Sequence, residues 1–169
     1  MSAIIFDRDG TLMEYREYPK HPKEVTLLPG AMELWKLRDT HKLFLHSNQS
    51  GVVRGLMTPT QVRAVQREFT RQLGGNPFEK TRLALEPPGE QPKVSYRKPS
   101  PRFIREIHEE FAIPLGDIIM VGDSECDITA ARLAGARSIL IRSKRTQDWS
   151  HPKSCRVVDS LEEAITLLK

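Results

Sequence analysis

The chain has 169 residues, 38% hydrophobic and 28% charged, which suits a single domain with its own core and excludes a disordered or fibrous chain. Its net charge of +4 comes from scattered basic residues, which favours a small phosphorylated partner over a broad nucleic-acid surface. No apolar run approaches the roughly 20 residues of a membrane span and the N-terminus lacks the features of a signal peptide, so we expect a cytoplasmic protein that makes no membrane contact.

The first half of the chain alternates short apolar strands with helices. In chain order the predicted elements are a strand at 3–6, a helix at 30–38, a strand at 42–46 and a helix at 58–73. The last of these has the clearest boundaries: Thr58 and Gln61 form a capping box at its start, and Gly74-Gly75 follows its end.

The second half repeats this alternation. The predicted elements are a strand at 82–85, a proline-rich loop at 86–92, a helix beginning near Ser100, a strand at 118–121, a helix ending at Gly135, strands at 138–141 and 156–158, and a helix capped by Ser160. Strands that are continuous apolar runs and alternate with helices predict a parallel sheet covered on both faces. The expected fold class is therefore α/β, a doubly wound Rossmann-like sheet.

Polar clusters directly follow three of these strands. They are Asp7-Arg8-Asp9-Gly10-Thr11, Ser47-Asn48-Gln49 and Gly122-Asp123-Ser124, and a fourth group, Arg97-Lys98-Pro99, precedes a helix that leads back to the sheet. Ligands of open parallel sheets bind beyond the carboxyl ends of the strands, so we expect these clusters to share one crevice. Carboxylates with a lysine among them predict a Mg²⁺ ion held against a phosphate.

The first cluster places two aspartates two residues apart at a strand end. If the backbone turns at Gly10, Asp7 can attack phosphorus while Asp9 protonates the leaving oxygen. The alternative is an ordinary turn, since Asp-Gly is a common loop dipeptide. The other clusters at the same edge of the sheet favour the catalytic interpretation.

These motifs resemble those of the haloacid dehalogenase-like phosphatases, in the same order along nearly the whole chain. Asp7-Arg8-Asp9-Gly10-Thr11-Leu12 resembles the first motif, Ser47-Asn48-Gln49 the second, Arg97-Lys98-Pro99 the third, and Gly122-Asp123-Ser124 with Asp127 the fourth. The Asn-Gln-Ser-Gly stretch before Arg54 and the Arg-Lys-Pro triplet are similar to a subgroup. It contains histidinol-phosphatase, D-glycero-D-manno-heptose 1,7-bisphosphate 7-phosphatase and polynucleotide 3'-phosphatase.

The resemblance implies a role for each matching position. The implied catalytic residues are Asp7 as nucleophile, Asp9 as acid and base, and Ser47 and Lys98, which hold the phosphoryl group. The implied Mg²⁺ ligands are Asp7, Asp9 through its carbonyl, and Asp123, with Asp127 supporting the metal shell or Lys98. The implied substrate contacts are Asn48, Gln49, Ser50, Arg54 and Arg97.

The chain departs from this subgroup before the third motif, where heptose and histidinol phosphatases carry a zinc loop. Residues 85–96 contain no Cys and no His, so we expect no zinc there. The two cysteines, Cys126 and Cys155, have no zinc-like spacing. We expect reduced thiols that are structural or incidental, with Cys126 packed rather than catalytic. The same expectation applies to His46, although it lies beside Ser47, and Arg142, Lys144 and Arg145 are interpreted as a solvated loop.

We expect residues 1–169 to form one haloacid dehalogenase-like phosphatase domain without a cap. Residues 12–28 are too short for a helical cap, and residues 51–97 are already accounted for by a helix, a strand and a loop. The site would then be open, with specificity set by loops such as 15–21 or by a second chain in a small homo-oligomer. Arg54 and Arg97 favour a sugar bisphosphate of the heptose 1,7-bisphosphate type, and hence a role in carbohydrate metabolism. The alternatives are a polynucleotide 3'-phosphatase that binds nucleic-acid 3'-phosphate ends, a histidinol-phosphate phosphatase and a non-catalytic binding module.

Overall fold

A computed structural model describes residues 1–87 and 94–169, and its centre is a parallel six-stranded sheet. The strands are β1 (Ser2–Phe6), β2 (His41–Asn48), β3 (Lys80–Ala84), β4 (Ile118–Gly122), β5 (Arg137–Ile141) and β6 (Arg156–Val158). They lie in the order β3-β2-β1-β4-β5-β6. The chain therefore starts near the centre of the sheet at β1, adds β2 and β3 on one side, and then crosses over to add β4, β5 and β6 on the other side. The predicted doubly wound α/β fold is confirmed.

Helices cover both faces of this sheet. They are α1 (Leu34–Leu37), α2 (Pro59–Gln72), α3 (Arg102–Phe111), α4 (Glu125–Ala134) and α5 (Leu161–Leu168), with single 3-10 turns at Pro22–Glu24, Ala31–Glu33 and Leu115–Asp117. Alternate residues of β1 point to opposite faces, as the pleat requires. Ile4 and Phe6 join the core that includes Phe69 of α2, while Ala3 and Ile5 join the core that includes Phe103 of α3.

The capping predictions agree with the structure. Thr58 and Gln61 form the reciprocal capping box at the start of α2, and Gly74 follows that helix with a φ of +76°. Ser160 accepts a hydrogen bond from the Glu163 backbone at the start of α5. Gly135 caps α4 in the left-handed conformation.

Two predicted boundaries are wrong in informative ways. The helix predicted at 30–38 is a 3-10 turn followed by the single turn of α1. Three-residue bonds, from the Glu33 N–H to the Gly30 carbonyl and from the Thr40 N–H to the Leu37 carbonyl, tighten the segment at both ends. The strand predicted to end at His46 continues through Asn48, because β3 pairs with it as far as the Asn48–Ala84 pair. Residues 88–92 of the predicted 86–92 loop lie outside the described residues.

The connections that flank β2, residues 7–40 and 49–79, are described completely. Between β1 and β2 lie two 3-10 turns and α1, and between β2 and β3 lies α2. Neither of these described connections forms a second sheet or a helical bundle over the strand ends. In the part of the chain that the structure describes, no helix has the length and apolarity to cross a bilayer.

Candidate active site

The carboxyl ends of β1 and β2 open into a cavity of about 270 Å³. Its walls come from all four predicted clusters and from the loops around them: Asp7, Asp9, Tyr15, Arg16, Tyr18, Pro19, Ser47, Asn48, Gln49, Ser50, Arg54, Arg97, Lys98, Ser124, Cys126 and Arg145. Nine of the ten predicted site residues are thus brought together. The tenth, Asp123, lies directly below Arg145 and has a side chain that is only 2% exposed.

Lys98 is the buried cation at the floor of the cavity. Its Nζ lies 2.8 Å from Asp7 Oδ1 and 2.6 Å from Asp127 Oδ1, and it donates a hydrogen bond of 2.7 Å to the His46 carbonyl. Burial alone would favour the neutral amine, but the carboxylates of Asp127 and Asp7 outweigh it and raise the pKa of Lys98 above its ordinary value. The ammonium is therefore charged and fixed beside Asp7.

The backbone around Lys98 is held by β2. The Asn48 amide accepts from the Lys98 N–H at 2.9 Å and donates to the Lys98 carbonyl at 3.0 Å. The His46 Nε2 donates to the Tyr96 carbonyl at 2.7 Å, and the Tyr96 ring lies between the guanidinium groups of Arg82 and Arg102. Asn48, predicted to contact substrate, therefore uses its amide to position Lys98.

His46 itself takes no part in the cavity. Its ring is fully buried, and burial together with the charge of Lys98 holds its pKa well below the ordinary range, so the imidazole is neutral. The packing interpretation of this histidine is confirmed.

Asp9 is held by a second buried cation that the sequence analysis did not single out. Arg8 is fully buried, and its Nη2 lies 3.0 Å from Asp9 Oδ2. The same oxygen accepts hydrogen bonds from Ser47 Oγ at 3.0 Å and from Gln49 Nε2 at 2.8 Å. The only sequence signal for this arrangement is an arginine between two aspartates at a strand end, where a buried cation needs a paired anion.

Asp7, Asp123 and Asp127 form a cluster with the donor chemistry of a magnesium site. One carboxylate oxygen of each lies within 4.8 Å of the others. Gly10 makes room for this cluster: its φ is +87°, and a Cβ there would lie 2.3 Å from Asp123 Oδ2. Hard carboxylate oxygens are the ligands that Mg²⁺ prefers, so the residues present fit that ion.

The charges of this cluster do not balance. Three carboxylates face two cations, Lys98 and Arg145, in a largely buried space. Burial, together with the neighbouring carboxylates, raises the pKa of Asp7 to about 8 and that of Asp123 to about 6. A bound divalent cation would favour the ionised form of both.

The rim of the cavity is formed by aromatic and basic side chains. Tyr15 and Tyr18 lie on it, whereas the backbone N–H groups of Lys20 and His21 donate to Glu24 away from it, so only part of the 15–21 segment faces the site. Arg145 lies in an exposed loop, as predicted, but that prediction missed its contact with the site. Its Nη2 lies 2.7 Å from both carboxylate oxygens of Asp123.

The two cysteines are not part of the carboxylate chemistry. Burial raises the pKa of Cys126 to about 11, so the thiol on the cavity wall is neutral. Cys155 packs against Ile128 and Leu140, as predicted.

Comparisons with known proteins agree with this fold and site. A family profile described as "HAD-hyrolase-like" matches residues 95–164. The chain is 31% identical over 172 residues to D-glycero-beta-D-manno-heptose-1,7-bisphosphate 7-phosphatase from Pseudomonas putida, with 95% of each chain covered. It is 29% identical over 168 residues to the protein of the same name from Bordetella bronchiseptica, covering 95% of this chain and 94% of the relative.

A solved structure of a relative has a similar fold. The crystal structure of D,D-heptose 1.7-bisphosphate phosphatase from B. bronchiseptica, complexed with magnesium and phosphate, is similar with a TM-score of 0.88. The two are 29% identical, and 99% of this chain and 98% of that chain are covered. The fold and the aspartate motifs define a haloacid dehalogenase-like hydrolase. The chain belongs to the haloacid dehalogenase-like phosphatase family, in the subgroup that contains the heptose bisphosphate phosphatases.

The charge imbalance predicts how Asp7→Asn affects the metal-free protein. Because folding raises the pKa of Asp7 from 3.8 to about 8, its contribution to stability is complete at low pH and is lost as the pH rises towards 8. The amide removes the excess negative charge, so Asp7→Asn should raise the free energy of unfolding by about 2 kcal/mol at pH 8 in a chelator. Denaturant unfolding at pH 6.5 and pH 8 measures this.

Asp39→Asn is the matched control, because it makes the same chemical change at an exposed carboxylate. It should leave the free energy of unfolding nearly unchanged at both pH values. An Asp7→Asn protein that is no more stable than wild type at pH 8 would contradict the imbalance.

Proposed function

We propose that this chain is a Mg²⁺-dependent phosphatase that forms an aspartyl-phosphate on Asp7, and that residues 1–169 are its catalytic domain. The observation that carries the proposal is the contact of 2.8 Å between Lys98 Nζ and Asp7 Oδ1 at the floor of an open cavity. A carboxylate in this position has a fixed cation beside it, which offsets the charge of an incoming phosphate.

In the first step, an oxygen of Asp7 attacks phosphorus and the bond from phosphorus to the ester oxygen breaks. Asp9, on the same cavity wall, gives its proton to the leaving oxygen. In the second step, water attacks phosphorus, the bond to Asp7 breaks, and Asp9 takes the proton from the water.

The remaining polar groups hold the phosphoryl oxygens and the metal. Ser47 Oγ and Lys98 Nζ lie on the cavity wall and donate to the transferring group. Mg²⁺, held by the carboxylates of Asp7 and Asp123 and by the Asp9 carbonyl, would supply positive charge against the phosphoryl oxygens. Asp127, paired with Lys98 at 2.6 Å, keeps the ammonium in place.

The proposed substrate is a small sugar bisphosphate, of the type named for the relatives. The positive charge of the cavity rim in this chain supports that proposal. Arg54 and Arg97 line the cavity together with Arg16, and guanidinium groups bind phosphate through paired hydrogen bonds. Because neither of the completely described connections beside β2 forms a cap over the site, recognition beyond the reacting phosphate depends on such rim residues.

Phosphate release from p-nitrophenyl phosphate tests the proposed chemistry. Wild type should be active with Mg²⁺ and inactive in a chelator, and Asp7→Asn should lower turnover by more than about a thousandfold, because an amide is a poor nucleophile. Asp39→Asn should retain full activity. A wild-type protein that releases no phosphate would indicate a binding module, and an active Asp7→Asn protein would contradict the covalent mechanism.

The same preparation tests the expectation about zinc. Residues 85–96 contain neither Cys nor His, so elemental analysis should find no stoichiometric zinc. A content near one zinc per chain would contradict that expectation.

Substrate class is tested with a panel of D-glycero-D-manno-heptose 1,7-bisphosphate, its monophosphate, histidinol phosphate and 3'-phosphorylated DNA. We expect the highest kcat/KM for the bisphosphate, and Arg97→Ala should lower this value about tenfold while affecting the monophosphate less. Efficient hydrolysis of the DNA with a steep dependence on salt, and none of the bisphosphate, would indicate a polynucleotide 3'-phosphatase instead.

A further inference from the structure

Arg145 occupies the open side of a predicted metal ligand. Its Nη2 lies 2.7 Å from Oδ1 and 2.7 Å from Oδ2 of Asp123, and is therefore placed between the two oxygens. The Asp123 side chain is 2% exposed, and its other side faces Gly10, where even a Cβ would lie 2.3 Å from Oδ2. Asp123 is not among the residues that line the cavity, whereas Arg145, which contacts it, is.

A divalent cation and this guanidinium compete for the same oxygens. A cation that binds Asp123 from the cavity must come close to Arg145 Nη2, and the two positive charges repel each other in a partly buried space. The guanidinium can leave more easily than the carboxylate, because the Arg145 side chain is 40% exposed and that of Asp123 is buried.

The backbone that carries Arg145 is fixed, so the side chain is the moving part. Ser143 Oγ donates to the Asp123 carbonyl at 2.9 Å, and the Thr146 N–H donates to the Ser143 carbonyl at 3.1 Å. These bonds tie the turn to the end of β4. The long side chain of Arg145 can then exchange partners while its Cα stays beside the cavity.

We propose that Arg145 is an exchange residue: it neutralises Asp123 in the metal-free protein, leaves that carboxylate when Mg²⁺ binds, and then binds the anionic oxygens of the substrate. The inference rests on the proposed function, because it takes Mg²⁺ and a phosphate as the ligands. The guanidinium already lines the cavity and lies 4.3 Å from the centre of the Tyr15 ring on its rim. This ring gives it a surface on which to turn towards the phosphate.

Mg²⁺ binding without substrate tests the first half of the exchange. Isothermal titration calorimetry should show that Arg145→Met binds Mg²⁺ about fivefold more tightly than wild type, because the guanidinium that competes for Asp123 is gone. Lys144→Met is the matched control: it removes the same charge from the neighbouring exposed residue and should change the dissociation constant by less than about twofold. Equal affinities for the two variants would overturn the proposal.

Inorganic phosphate tests the second half. At saturating Mg²⁺, Arg145→Met should bind phosphate about fivefold more weakly than wild type, and Lys144→Met should bind it as wild type does. Arg145→Lys keeps the positive charge but loses the paired N–H donors of the guanidinium, so its affinity for phosphate should lie between those of wild type and Arg145→Met. Unchanged phosphate binding in Arg145→Met would overturn the proposal.

Both titrations measure binding and require no turnover. Failure of the exchange is therefore distinct from failure of the proposed function. Suppose that wild type releases phosphate with Mg²⁺, but that Arg145→Met and Lys144→Met have the same affinity for Mg²⁺ and the same affinity for inorganic phosphate. That result disproves the exchange alone. A protein with no Mg²⁺-dependent phosphatase activity disproves the function itself.

Discussion

The site depends on the burial of one ammonium group, that of Lys98. A buried lysine is tolerated only where anions and carbonyl oxygens surround it. Here the partners come from three elements: Asp7 follows β1, the His46 carbonyl belongs to β2, and Asp127 lies in α4 directly after β4. These strands are neighbours in the order β2-β1-β4, so the topology of the sheet brings together groups up to 91 residues apart in sequence.

The second constraint is that the anions outnumber the cations. Lys98 and Arg145 leave one of the three carboxylates of the cluster uncompensated, and burial, together with these neighbouring carboxylates, raises the pKa of Asp7 to about 8. This excess negative charge lowers the free energy of unfolding, and a bound divalent cation would offset that loss. Asp9 has its own cation, because Arg8 pairs with it at 3.0 Å, so nucleophile and acid have different surroundings although they are two residues apart.

Most of the fold and the central site residues could be predicted, because strand ends and motif spacing are local signals. Asp7, Ser47, Lys98 and their neighbours all reach the cavity for that reason. Arg8 and Arg145 were missed because their contacts depend on burial and on long-range approach: Arg145 is 22 residues from Asp123, and in sequence it resembles an exposed loop charge. The continuation of β2 to Asn48 was missed because its last two residues are polar, and only pairing with β3 shows that they extend the strand.

The central claim is that Asp7 carries the phosphoryl group covalently, with Lys98 beside it. The most direct measurement is rapid quenching of the Mg²⁺-loaded protein during turnover of a bisphosphate, followed by borohydride reduction and peptide mass spectrometry. Reduction converts an aspartyl-phosphate to homoserine, so the account predicts homoserine at position 7 and at no other aspartate. Active protein in which position 7 remains aspartate, or in which homoserine occurs at another position, would contradict the account.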